Sequence, residues 1–143
     1  VPVILYDVRN GVIGCIHAGW RGAFSGIIKN TISKIKKINS NNDIYASVGP
    51  CIGKKSYEVD LVFFKKFIKK SHKNKKYFSN KNSQKKFFDL RKFVTDKILD
   101  CRVKIDQVNH DTYTEKSNFY SYRRSSKLQE KDYGRCISVV SMI

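Results

Sequence analysis

Three short stretches of this chain combine reactive residue types with backbone that lets a ligand come close. The first is Gly14-Cys15-Ile16-His17-Ala18-Gly19-Trp20-Arg21-Gly22, where an apolar β-branched run delivers a histidine and glycines lead into a helical pattern. Glycine, having no Cβ, allows the main chain to approach a ligand. The imidazole of His17 can bind Zn²⁺ or Cu²⁺, and Arg21, near a helix N-terminus, can clamp a phosphate or other oxyanion as a catalytic and substrate-binding group. Spacing alone favours a plainer account. One histidine is not a metal site, a lone His on a strand is more often a hydrogen-bonded core residue, and a lone Arg is usually a surface charge.

The second stretch, Gly49-Pro50-Cys51-Ile52-Gly53 followed by Tyr57-Glu58-Val59, puts a thiol in a rigid turn with a carboxylate seven residues on. Cys51 is a candidate catalytic nucleophile or auxiliary ligand, but a small packed thiol in a Gly-Pro turn is the favoured reading. The third runs from Asp111-Thr112-Tyr113-Thr114-Glu115 to Phe119-Tyr120-Ser121-Tyr122-Arg123-Arg124. Aromatics beside guanidiniums suit stacking a planar base and holding an anion, which makes Tyr122, Arg123 and Arg124 candidate substrate contacts. A strand with an exposed basic edge has the same composition, and residue types leave the two readings even. Arg135, after Gly134, is a further candidate anion contact, although a surface charge is the favoured reading.

The elements that must position these groups are read from hydrophobic periodicity. Residues 1–6 and 12–17 are apolar and β-branched on either side of Asn10-Gly11, which suits a β-hairpin. Phe24, Ile27, Ile28, Thr31, Ile35 and Ile38 recur at helical spacing with lysines on the other face, predicting one amphipathic helix. Residues 44–48 read as a buried strand ended by Gly49-Pro50. Val59, Val62, Phe63 and Phe67 suit a second helix, and Phe87, Leu90, Val94, Ile98 and Cys101 a third. Between them, residues 69–86 hold eight lysines and no acid and read as a solvated surface loop. The apolar run 136–143 has the pattern of a strand covered on both faces. Strands interleaved with helices point to an α/β or α+β sandwich.

With 143 residues, 41% of them hydrophobic, the chain can form one core, so residues 1–143 are read as a single domain. No stretch approaches the roughly 20 apolar residues of a membrane span, and none reads as a signal peptide. The four cysteines, Cys15, Cys51, Cys101 and Cys136, are widely spaced, which suits a reducing, cytoplasmic compartment. The formal net charge of +17 raises non-specific affinity for polyanions and keeps a basic nucleic-acid-binding module as an alternative. Because the excess is mostly lysine among many Asn and Ile, a compositional bias explains it better than a specific nucleic-acid partner.

VPVILYD, HAGWRG, GPCIG with YEV, FDLRK, TYTE, FYSYRR and GR, in this order along the chain, resemble the multicopper polyphenol oxidase or laccase-domain family, whose members are also described as purine nucleoside phosphorylases and peptidoglycan editing factors. The resemblance implies a four-layer α/β/β/α sandwich with mixed β-sheets, of which this chain would lack the N-terminal part. It implies a metal, Zn²⁺ or Cu²⁺, held by two histidines and a cysteine. His17 matches one of those histidines, and the other two ligands would lie upstream of Val1. None of the four cysteines, nor His72 or His110, matches them. Asp111 departs from the family pattern, many relatives having cysteine there. The implied activity is phosphorolysis of adenosine, inosine and S-methyl-5'-thioadenosine, with adenosine deamination alongside, in a monomer or homodimer whose partners are a purine nucleoside and phosphate, away from any membrane. Copper-dependent phenol oxidation and hydrolytic editing of peptidoglycan precursors are the alternatives within the family.

Overall fold

The computed structural model describes residues 1–142. β1 (Pro2–Asp7) and β2 (Val12–His17) form the expected hairpin, pairing from Pro2 opposite His17 to Asp7 opposite Val12 with Gly11 in the turn. β3 (Ile44–Val48) lies antiparallel on the other side of β1, and β7 (Lys104–Gln107) runs parallel to β3, giving the order β2-β1-β3-β7. β2, β3 and β7 therefore run in one direction with β1 reversed between them, and their carboxyl ends share one edge of the sheet. Val3, Leu5, Ile16, Ala46 and Val48 are buried. Cys15, His17, Tyr45 and Ser47, at the alternate positions, are exposed on the opposite face.

The helical pattern after the hairpin resolves into two helices, α1 (Trp20–Ser25) and α2 (Ile27–Ile38). Gly26 separates them at φ 94°, a left-handed conformation that costs glycine little, and its N–H closes α1 onto the carbonyls of Gly22 and Ala23. α2 buries Ile28, Ile32 and Ile35 against the sheet, while Ile38 is exposed. α4 (Leu90–Leu99) packs beside α2 and against β3 and β7. The result is the expected α/β arrangement, a mixed sheet with helices on one face.

α3 (Leu61–Lys70) and α4 each begin after an aspartate that caps the helix: Asp60 accepts from the Phe63 N–H and Asp89 from the Lys92 N–H. These caps move Val59 out of the helical pattern into β4 (Glu58–Asp60) and Phe87 into β6 (Lys85–Phe88). The expected solvated loop at 69–86 is corrected. It carries the end of α3, a 3-10 helix (His72–Tyr77), β5 (Phe78–Asn80) and the start of β6, and the small antiparallel sheet has the order β4-β6-β5. Aromatic packing overrides the lysine content, since the charged heads remain in water while their stems cover apolar rings. Tyr77 stands 5.0 Å from Phe93, and Phe78 stacks on Phe88 at 4.9 Å. At the centre of this cluster is Phe67, fully buried, with ring centroids 4.8 Å from Phe63, 5.0 Å from Phe88 and 5.3 Å from Phe93.

The run at 136–143 does not form the strand expected of it. Residues 136–142 have no regular secondary structure, and Ile137 and Val139 are 87% and 72% exposed; Ile143 lies outside the described residues. A strand buried on both faces needs ladder partners and a layer on each side, and the described residues provide neither at this position.

One polar joint fixes the hairpin turn against the loop before β3. The buried Asp7 carboxylate accepts from Asn10 Nδ2 at 2.6 Å, Asn42 Nδ2 at 2.7 Å, the Asp43 N–H at 3.1 Å and the Arg9 N–H at 3.2 Å. Burial pushes its pKa up, but these hydrogen bonds outweigh that and bring it down to about 2. Asp7 therefore contributes stability above the unfolded-state value of about 3.9, and that contribution fades as pH falls toward about 2. Asp7→Ala should lower Tm at neutral pH and flatten the acid limb of a Tm-against-pH curve. Phe67→Ala should cost about 3–5 kcal/mol in urea unfolding, because the hole is walled by rings from five elements, α1, α3, β5, β6 and α4, that collapse poorly.

Candidate active site

The shared edge where β2, β3 and β7 end is continued by three loops that the main chain ties together. The Ala18 N–H donates to the Val1 carbonyl at 2.7 Å, the Gly49 N–H to Pro2 at 2.9 Å and the Val108 N–H to Val48 at 3.1 Å. Beyond the sheet, Cys51 and Asp111 form a parallel bridge that prolongs the β3–β7 pairing, with the Thr112 N–H donating to the Cys51 carbonyl at 3.1 Å. The Asp111 carboxylate locks this junction, accepting from the Gly53 and Tyr113 N–H groups, both at 2.9 Å, and from Ser56 Oγ at 2.6 Å. Although partial burial works against ionisation, these bonds hold Asp111 below the usual carboxylate range.

A cleft of about 920 Å³ opens at this edge. Six aromatic residues stand in its walls, Trp20, Tyr57, Phe119, Tyr120, Tyr122 and Tyr133; Arg123 and Arg135 supply positive charge, and among the described residues no lining side chain is acidic. His17 enters from the end of β2. Its Nε2 lies against Gly19, where an added Cβ would come within 3.2 Å, so the glycine leaves the imidazole room to sit at the strand end. Partial desolvation lowers the His17 pKa, which favours the neutral ring.

A family model described as multi-copper polyphenol oxidoreductase laccase matches residues 1–143. The chain belongs to this family. It is 38% identical over 144 residues to a purine nucleoside phosphorylase of Rickettsia conorii, an alignment covering 99% of this chain and 60% of that protein. It is 29% identical over 143 residues to a purine nucleoside phosphorylase of Haemophilus influenzae, covering 98% of the chain and 56% of the relative. Among solved structures, the Bacillus licheniformis hypothetical protein YfiH superposes with a TM-score of 0.79 at 27% identity, covering 87% of this chain and 49% of that one. The chain thus spans somewhat more than half the length of these curated relatives.

For this member of the laccase family, the structure distributes the sequence candidates unevenly. His17, Cys51, Tyr122, Arg123 and Arg135 line the cleft. Cys51 is buried, and desolvation raises its thiol pKa despite the nearby Arg91 guanidinium, so the protonated, packed form is favoured over a nucleophilic thiolate. Arg21 is exposed on α1, its guanidinium 5.4 Å from the Trp20 ring, and is not among the lining residues. Arg124 turns away to bind three carbonyls, those of Thr112 at 2.8 Å, Tyr113 at 3.0 Å and Phe119 at 2.5 Å. The strand alternative for the Tyr/Arg segment is overturned: Ser121 caps α5 (Tyr122–Lys127), which presents Arg123 and Arg124 in different directions.

Arg123 donates to the Glu58 carbonyl at 2.6 Å and sits 5.1 Å from the Tyr57 ring, while Arg135 lies 4.5 Å from the Tyr133 ring. Burial pushes the Tyr57 hydroxyl pKa up, opposed by Arg123, so it is a neutral wall at physiological pH. Residue pattern alone does not single out Trp20, Tyr57 or Tyr133, which line the cleft; Arg91, outside the lining, donates to the His110 carbonyl at 2.5 Å and sits beside Cys51. The adjacency of Trp20 to the histidine loop was the available signal. As for metal binding, no group of three His, Cys, Asp or Glu side chains among the described residues is arranged to hold an ion. His17 is one donor, and a three-ligand centre needs donors beyond those assembled here.

If Arg124 is a loop clamp, Arg124→Ala should lower the unfolding free energy in urea by about 1.5–3 kcal/mol, the range for hydrogen bonds to a charged donor. Arg123→Ala, which breaks one such bond, should cost less.

Proposed function

We propose that this chain contributes the cleft of a purine nucleoside phosphorylase, splitting a nucleoside with phosphate into free base and ribose 1-phosphate. The observation that carries this reading is the cleft itself: aromatic walls, two guanidiniums, no acidic lining residue and a neutral histidine at one strand end. Tyr120 and Tyr122, exposed along the cleft, supply ring faces for a planar base, and Trp20 forms part of the wall. Arg123 and Arg135 balance a phosphate, whose charge is worth more in a cleft that sheds water. Relatives described as purine nucleoside phosphorylases support the same substrate class.

At a finer level we assign adenosine, inosine and S-methyl-5'-thioadenosine as substrates, with adenosine deamination as a side activity. We assign His17 as a ligand for Zn²⁺ or Cu²⁺ when further donors complete its shell, and Arg21 as an anion contact on the approach to the cleft. These finer assignments rest on the motif resemblance. No residue of the cleft favours peptidoglycan hydrolysis over nucleoside binding.

Chromatography of adenosine incubated with phosphate tests the proposal, using this chain and the chain completed to the length of its relatives. Adenine and ribose 1-phosphate should appear only with phosphate present. Arg123→Ala or Arg135→Ala should raise the phosphate KM about tenfold or more, equivalent to one lost charge-assisted hydrogen bond. An intact nucleoside after incubation with the folded, completed protein, alongside oxidation of a phenol or cleavage of a peptidoglycan precursor, would replace this reading.

A further inference from the structure

Residues 54–86 carry twelve lysines against two acids, Glu58 and Asp60. Both acids are committed. Glu58 is gripped by Lys81 and by Lys85 at 2.5 Å, and Asp60 caps α3. Lys54, Lys55, Lys65, Lys69, Lys73 and Lys75 are all exposed and form no ion pair among the described residues. Lys65 and Lys69 stand one turn apart on the solvent face of α3, opposite buried Phe67, where like charges at this spacing repel. Lys73 and Lys75 follow on the 3-10 helix. The phosphorylase cleft uses none of these lysines.

From the lysines of α3 and the adjoining 3-10 helix we infer a second binding surface, for the phosphate backbone of nucleic acid read without sequence preference. Lysine is a compact point charge suited to phosphates, and the six uncommitted lysines include no planar guanidinium to read a base edge. The aromatic rings of this region, Phe63, Phe67, Phe78 and Phe88, are packed against one another and are not free to stack on bases. A lipid surface fits less well. Val62 is the one large apolar side chain standing exposed in this stretch among the described residues, too little to anchor an interfacial helix.

Fluorescence anisotropy with a labelled DNA duplex of arbitrary sequence tests this. Binding should weaken by about 10² to 10³-fold between about 50 and 200 mM salt, as expected for four to six neutralised phosphates. Replacing Lys65, Lys69, Lys73 and Lys75 by Gln should flatten the log–log salt slope by about 3–4 units. The comparison variant replaces Lys29, Lys34, Lys37 and Lys131 by Gln, which removes the same charge from exposed sites elsewhere and should leave most of the binding intact. Circular dichroism checks that both variants fold. Equal losses in the two variants would reduce the effect to net charge and overturn the surface. Tighter binding to vesicles rich in anionic lipid than to duplex, lost with the same four lysines, would overturn the choice of partner.

Discussion

The site depends on the direction and register of four strands. Because β1 alone is reversed, β2, β3 and β7 deliver their carboxyl ends, and the loops that follow them, to a single edge. Ligand sites of open α/β sheets form at such edges. Register then decides which side chains take part. Val3, Leu5 and Ile16 are buried, and strand periodicity places Cys15 and His17 on the opposite face. A slip of one residue would turn His17 toward the helical layer and put an apolar side chain in its place. The apolar residues beneath the helices thus set which way the His17 side chain faces.

Charge complements this geometry. A cleft lined by two arginines without a carboxylate, in a protein of formal charge +17, attracts anions before any specific contact forms. The acids closest to the loops are committed: Asp111 binds three donors at the Cys51 junction, Glu58 holds two lysines, and the exposed Asp132 stands 3.6 Å from Arg135, outside the cleft lining. The arginines divide in the same way. Adjacent in sequence, Arg123 reaches the cleft while Arg124 staples three carbonyls of the neighbouring turn.

Much of this was legible in the sequence where periodicity was strong. The hairpin around Asn10-Gly11, strand 44–48 and the histidine at a strand end all follow from alternation and turn chemistry. Boundaries were harder, because the caps Asp60 and Asp89 lie inside apolar runs that look continuous. The lysine-rich stretch was misread for a related reason, its few aromatics finding partners distant in sequence, as Tyr77 does in Phe93. The apolar run at 136–143 shows the reverse failure, a strand-like pattern with no ladder to join among the described residues. Within the site, residue type could nominate Arg123 and Arg124 equally, and only the turn of α5 separates them.

The protein's single tryptophan, Trp20, forms part of the cleft wall and reports directly on its occupant. Titrating adenosine while following Trp20 fluorescence tests whether this cleft takes a purine nucleoside. A saturable change, competed by inosine and absent in Trp20→Phe, is the result this account requires. Nucleoside binding detected by calorimetry with Trp20 emission unchanged would place the nucleoside elsewhere and contradict it.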